Sequence, residues 1–117
     1  MLLGLNAPKR GEVWLLDFDP TQGHEQAGKR PALVLSVDVF NSGPASLIIV
    51  CPITSRNRHI RSHVEIIPPE GGLTLTSYVM TEHIRSVTKT RLAGRLGQVS
   101  ASTLASVEER IRILLNL

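Results

Sequence analysis

Aromatic side chains are almost missing from this chain: Trp14, Phe18, Phe40 and Tyr78 make up 3% of its 117 residues. So few, and so scattered, they exclude a platform of interleaved aromatics for stacking single-stranded nucleic acid. Cysteine is equally scarce. Cys51 alone excludes an intramolecular disulfide and a multi-thiolate metal site, and between Val50 and Pro52 it reads as a small buried hydrophobe rather than a reactive thiolate. No apolar run approaches the length of a membrane span. In MLLGLNAPKR the basic residues follow a short apolar start instead of preceding it, unlike a signal peptide. The expectation is a cytoplasmic chain with no membrane partner. Phosphate-binding loops, dinucleotide fingerprints and GxSxG elbows are also absent. The histidines His24, His59, His63 and His83 form no HExxH pattern. His59 and His63 stand four apart, but their stretch runs into strand-like sequence, where no helical face would align them. Neither a metal site nor a cofactor is expected.

What is present fits one globular domain over residues 1–117, with 42% hydrophobic and 20% charged residues. The formal net charge of +3 is modest, and its placement says more. No acid occurs between Glu82 and Glu108, while Arg85, Lys89, Arg91 and Arg95 do; SRNRHIRSH holds Arg56, Arg58 and Arg61 in a second acid-free run. Such segments suit a polyanion and equally suit a solvated charged face.

Periodicity places strands over residues 12–18 (EVWLLDF), 32–37, 47–52, 63–67, 78–80 and 84–87, so that the first 85 to 90 residues are strands and loops. PPEGG at 68–72 is a turn signal. After Ser100, a plausible N-cap, the period becomes helical through Leu104, Val107, Ile111, Leu114 and Leu115. Short strands closed by one amphipathic helix predict a β-rich α+β fold: a small antiparallel barrel-like sheet with the helix packed on it. Residues 23–30 would join the first two strands as a loop longer than a hairpin needs.

That loop carries the first chemical constellation. Glu25 and Arg30 form either a surface ion pair or a phosphate site, with the guanidinium gripping oxygens and the carboxylate managing a proton. Gly23 and Gly28 would let the backbone bend and a ligand approach. Thr54 and Ser55 end an apolar strand just before the basic run; a hydroxyl there caps a turn or holds a phosphate oxygen. His83, beside Glu82, is an acid–base candidate or an ordinary surface histidine.

The run RGEVWLLDFDPTQGHEQAGKRPALVLS resembles, without a gap from Arg10 to Ser36, the N-terminal signature of the MazF/PemK toxin family: R-G-[ED]-[VI], D-x-[DS]-P, then G-x-E-Q-x-G-x-R-P. Weaker similarity continues through VCPITS and TEHIRSVTKTRL into the C-terminal helix, leaving residues 1–8 as an N-terminal extension. The resemblance implies an SH3-like barrel of the MazF/Kid/CcdB type. It also implies a homodimeric, metal-independent endoribonuclease that cuts single-stranded mRNA at short motifs, leaving 2′,3′-cyclic phosphate and 5′-hydroxyl ends. A cognate MazE-like antitoxin would occupy the same basic groove. Arg30 and Thr54 match the catalytic arginine and threonine, Glu25 an acidic residue implicated in activity, and Glu82 an acid near the RNA. Glu82, His83 and His24 are further acid–base candidates, His24 and His83 standing where relatives carry serine and glutamine. Gln26, Lys29, Ser55, Arg56, Arg58, Arg61 and Arg85 are expected to contact RNA. A non-catalytic toxin of the same fold that clamps a protein such as a topoisomerase, or an RNA-binding barrel, remains the alternative.

Overall fold

The computed structural model describes residues 7–18 and 28–117. Its strands are β1 (Glu12–Asp17), β2 (Lys29–Val34), β3 (Leu47–Thr54), β4 (His63–Ile66), β5 (Ser77–Met80), β6 (Arg85–Thr88) and β7 (Leu92–Gln98). Helix α1 (Asp38–Asn41) is a single turn, and α2 (Ala101–Leu115) closes the chain. All pairings are antiparallel, in the order β4-β5-β3-β2-β1-β7, with β6 also against β3. No helix among the described residues is long and apolar enough to cross a membrane.

The apolar runs of β2 and β3 follow from burial on both faces, which leaves no solvent side to alternate with. Leu33, Cys51, Ile53 and Val79 point into one core, which α2 covers with Leu104, Val107 and Ile111. Ala32, Val34, Ile48 and Val50 point the other way, into a smaller core roofed by Trp14, Phe18 and Leu92. Burial pushes the Cys51 thiol up to about 12, aided by the nearby Glu82 charge, so this cysteine packs and does not react. Helix α2 begins as its sequence indicates: Ser100 Oγ accepts from Thr103 N at 3.1 Å. Its last turn departs from the expected pattern. Leu114 and Leu115, read as core positions, are exposed together with Ile113 and Leu117.

Several strand limits also shift. The second strand starts at Lys29, not residue 32, and stops at Val34, so Arg30 is a strand residue rather than part of the loop. Phe18 N donates to Gly28 O at 2.7 Å and closes this hairpin before residues 19–27. The third strand continues to Thr54 because β5 takes over its pairing. Strands do not end by residue 90: β7 follows, hidden in the sequence by Gly94 and Gly97 and by its mostly exposed surface.

Gly97 closes the barrel. The turn at Glu70–Gly72 crosses β7 so tightly that a Cβ on Gly72 would lie 1.8 Å from Leu96 O, and one on Gly97 2.6 Å from the Gly71 carbonyl carbon. Gly72 also has a φ of +71°. The PPEGG segment is therefore a turn, as expected, and also the seam along which β7 meets the opposite end of the sheet. Glu12 anchors the same edge: its carboxylate accepts from Lys9 N at 2.8 Å, Trp14 Nε1 at 2.9 Å and Arg95 Nε at 2.7 Å. Burial alone would raise its pKa, but the bonds from Trp14, Lys9 and Arg95 outweigh that and hold it below its ordinary 4.5.

Two predictions follow from the seam and the anchor. Gly72→Ala combines a backbone clash with a left-handed φ and is expected to cost about 3–5 kcal/mol. Gly11→Ala meets only a side-chain methyl at 3.6 Å, and its strain at φ +92° should cost about 1–2 kcal/mol; urea denaturation measures both. Because the folded-state pKa of Glu12 is depressed, its contribution is complete above 4.5 and fades as pH falls through the folded value. Glu12→Gln should thus be less stable than wild type by about 1–3 kcal/mol at pH 7, and melting curves of the two should converge in acid.

Candidate active site

β2 and β3 pair through Val34–Val50, Leu33–Cys51 and Ala32–Pro52, and there the ladder stops. Pro31 and Pro52 have no N–H with which to extend it. Beyond Pro52, β3 runs on with β5 alone, Ile53 opposite Val79 and Thr54 opposite Tyr78. The same β2–β3 register, carried two residues past its last pair, sets Arg30 across from Thr54. The two strands part at this point, and the gap is an open cleft of about 310 Å³. Arg30, Thr54 and Ser55 line it together with Leu73, Thr74 and Leu75 of the β4–β5 connection.

Arg30 is exposed, and among the described residues no carboxylate pairs with it. An unpaired guanidinium at a cleft wall is suited to an anion's oxygens. Thr54 Oγ1 accepts from Arg56 N at 3.1 Å. The turn-capping role that the sequence left open is therefore real, and since the hydroxyl accepts there, its own proton stays available for a ligand oxygen. The segment that follows carries Arg56, Arg58 and Arg61, all exposed and without an ion pair among the described residues. Lys29 lies next to Arg30 in β2, opposite Asp17. Arg85 is elsewhere, on β6, its guanidinium 5.4 Å from the centre of the Phe18 ring. His24, Glu25 and Gln26 lie outside the described residues.

Glu82 and His83 are not in this cleft's lining. They sit on a 3₁₀ turn, Thr81–His83, that interrupts the strand formed along β3 by β5 and β6. Four residues of β3, from Ile53 back to Val50, correspond to seven on that edge, from Val79 to Arg85, so the turn is a three-residue excursion. Glu82 Oε1 accepts from Ser62 Oγ at 2.6 Å, and Oε2 lies 2.7 Å from His63 Nε2 and 3.7 Å from His83 Nε2. Burial raises the Glu82 pKa, but the bonds from Ser62 and His63, with the His63 charge, more than reverse this and keep it below 4.5. His83 is largely exposed, whereas the His63 side chain is only 4% exposed. Ser62 and His63 are functional candidates that sequence reasoning passed over. His63 was weighed only as a metal ligand, and no local pattern links it to a carboxylate that far along the chain. Among the described residues, no three His, Cys, Asp or Glu side chains gather as metal ligands would.

The model of the PemK-like, MazF-like toxins of type II toxin–antitoxin systems matches residues 9–115. Endoribonuclease MazF9 of Mycobacterium tuberculosis is 35% identical over 114 residues, covering 93% of this chain and 97% of the relative. Endoribonuclease EndoA of Bacillus subtilis is 31% identical over 110 residues, covering 93% and 95%. A chain in the crystal structure of MazE–MazF from Deinococcus radiodurans, 30% identical, has the same fold with a TM-score of 0.78 over 95% of this chain and 97% of its own length. The match over nearly all of the sequence shows that the chain belongs to the PemK-like, MazF-like toxins of type II toxin–antitoxin systems.

Proposed function

We propose that this endoribonuclease, the toxin of a type II toxin–antitoxin system, cuts single-stranded mRNA in the cytoplasm by transesterification at the Arg30–Thr54 cleft. The ribose 2′-hydroxyl attacks its own phosphodiester, the bond to the 5′-oxygen breaks, and the products are a 2′,3′-cyclic phosphate and a 5′-hydroxyl. The nucleophile belongs to the substrate, so the reaction requires neither an activated water nor a metal to make one. The observation that carries the reading is the pairing stop at Ala32–Pro52, beyond which a guanidinium and a hydroxyl face one opening.

Arg30 neutralises charge on the phosphorane, a role in which one donor is worth on the order of 3 kcal/mol. Thr54 orients a non-bridging oxygen. A guanidinium keeps its proton in proteins and is a poor base, so the 2′-proton goes to Glu25, just upstream of Arg30. Glu82 does not take this role, because both of its oxygens are already engaged and it lies outside the cleft's lining. The leaving 5′-oxygen takes its proton from a histidine, with His83 and His24 the candidates, or is stabilised by Arg30. Gln26, Lys29, Ser55, Arg56, Arg58, Arg61 and Arg85 supply RNA contacts around the cleft.

A MazE-like antitoxin is the proposed regulator, on the strength of the MazE–MazF relative; an acidic segment laid across the same basic surface would block RNA by charge and by occupancy. The proposed assembly is a homodimer. The exposed Ile113, Leu114, Leu115 and Leu117 at the end of α2 form an apolar patch that a second copy would cover.

Cleavage of a long mixed-sequence RNA in EDTA, with end-group analysis, tests the chemistry. Discrete cuts with cyclic-phosphate ends are expected, and intact RNA from antitoxin-free protein would contradict the proposal. Arg30→Ala and Thr54→Ala should each slow cutting by at least about 100-fold while the melting curve keeps its shape. Sedimentation should give a dimer at micromolar concentration, and Leu115→Glu should shift it toward monomer; a monomeric wild type would refute the assembly.

A further inference from the structure

The arginine-bearing segment between β3 and β4 is exposed throughout residues 55–61, yet it is tied at both ends. At its start, Arg56 N donates to Thr54 Oγ1. At its far end four bonds converge. Thr81 Oγ1 donates to Ser62 O at 2.6 Å, Arg110 Nε to Arg61 O at 2.9 Å and Ser62 Oγ to Glu82 Oε1 at 2.6 Å, while His63 Nε2 meets Glu82 Oε2 at 2.7 Å. Thr81 is fully buried. His63 is nearly so, and among the described residues its Nδ1 has no hydrogen-bond partner.

This arrangement is polar where a purely structural contact would be apolar. A buried imidazole with one unsatisfied nitrogen costs stability, and packed hydrophobic groups would hold a loop end with no such cost. What a carboxylate adds is direction: its two oxygens fix the neighbouring residues Ser62 and His63 at once. Glu82 also sits opposite the Cys51–Pro52 stretch of β3, about 7–10 Å along the strand from Thr54 at the usual rise. It acts on the loop that leaves Thr54, not on the cleft itself.

We propose that Glu82, with Ser62 and His63, is a positioning clasp that holds Arg56, Arg58 and Arg61 as a preformed track for the RNA backbone beside the cleft. The proposal rests on the endoribonuclease reading of that cleft. A loop ordered beforehand pays its conformational entropy on folding rather than at each binding event. Releasing the clasp therefore weakens RNA binding and spares the chemical step. Glu82 is thus a positioning residue, and its effect passes through the three arginines.

The test is fluorescence anisotropy with a mixed-sequence single-stranded RNA whose riboses are 2′-O-methylated, so that it binds without being cut. Glu82→Gln should raise Kd about tenfold at roughly 0.1 M salt and make the dependence of log Kd on log salt shallower by about 1 to 2. On cleavable RNA it should raise KM comparably and leave kcat within about twofold of wild type. Ser62→Ala removes one exposed hydroxyl and should move the same readings in the same direction by less. It carries the test if Glu82→Gln fails to melt cooperatively. With Arg56, Arg58 and Arg61 all replaced by alanine, adding Glu82→Gln should change Kd by less than about twofold. Unchanged Kd and salt slope in both single variants, a loss confined to kcat, or an undiminished effect without the arginines would each overturn the clasp. A wild type that binds the blocked RNA but never cuts the unblocked one would instead refute the endoribonuclease reading, with the clasp still legible in binding.

Discussion

Along one edge β3 is paired with β2 until Pro52; along the other it is paired first with β6 and then, past a three-residue excursion, with β5. A strand that changes partners in this way has one stretch, Ile53 and Thr54, with a neighbour on only one side. Backbone groups freed at such a place normally need covering. Here the opening is instead walled by Arg30 from β2 and by Leu73, Thr74 and Leu75 from the β4–β5 connection. The prolines at 31 and 52 help hold it open, since neither can donate the hydrogen bond that would zip the strands further. The cleft is thus a property of backbone pairing, and Arg30 and Thr54 within it are carried by strands rather than by a loop.

The rest of the fold supports that geometry. The crossing of Gly71–Gly72 over Gly97 closes the barrel and keeps the β4–β5 connection against the sheet, so that its part of the cleft lining stays in place. Helix α2 packs Leu104, Val107 and Ile111 onto the same core as Ile53, directly behind the site. The three-residue excursion opposite β3 delivers Glu82 to the end of the arginine segment, which joins the pairing change at Thr54 to the surface that would meet a nucleic acid backbone.

Much of this was legible before any coordinates, and the parts that were not share a cause. β2 and β3 announce themselves because strands buried on both faces read as unbroken apolar runs, and α2 because its cap and its period agree. Arg30 and Thr54 were visible as residue types through the family spacing, but their meeting depends on a register two residues past the end of a ladder, which no local pattern encodes. β7 was missed because Gly97 answers to a backbone crossing from residues 71–72, distant in sequence. Burial of Leu114 and Leu115 was expected from period alone; the helix outruns the sheet, and period cannot measure where the partner surface ends. The pairing of His63 with Glu82 is non-local in the same way.

On the proposed mechanism, Arg30 and Thr54 grip one phosphate together across the end of the β2–β3 ladder. A double-mutant cycle in single-turnover RNA cleavage examines this directly, comparing Arg30→Ala, Thr54→Ala and the double variant. If the two side chains serve the same phosphate, the double variant should be no more than about threefold slower than the slower single variant. If instead the two losses multiply, each residue contributes independently and the shared grip is contradicted.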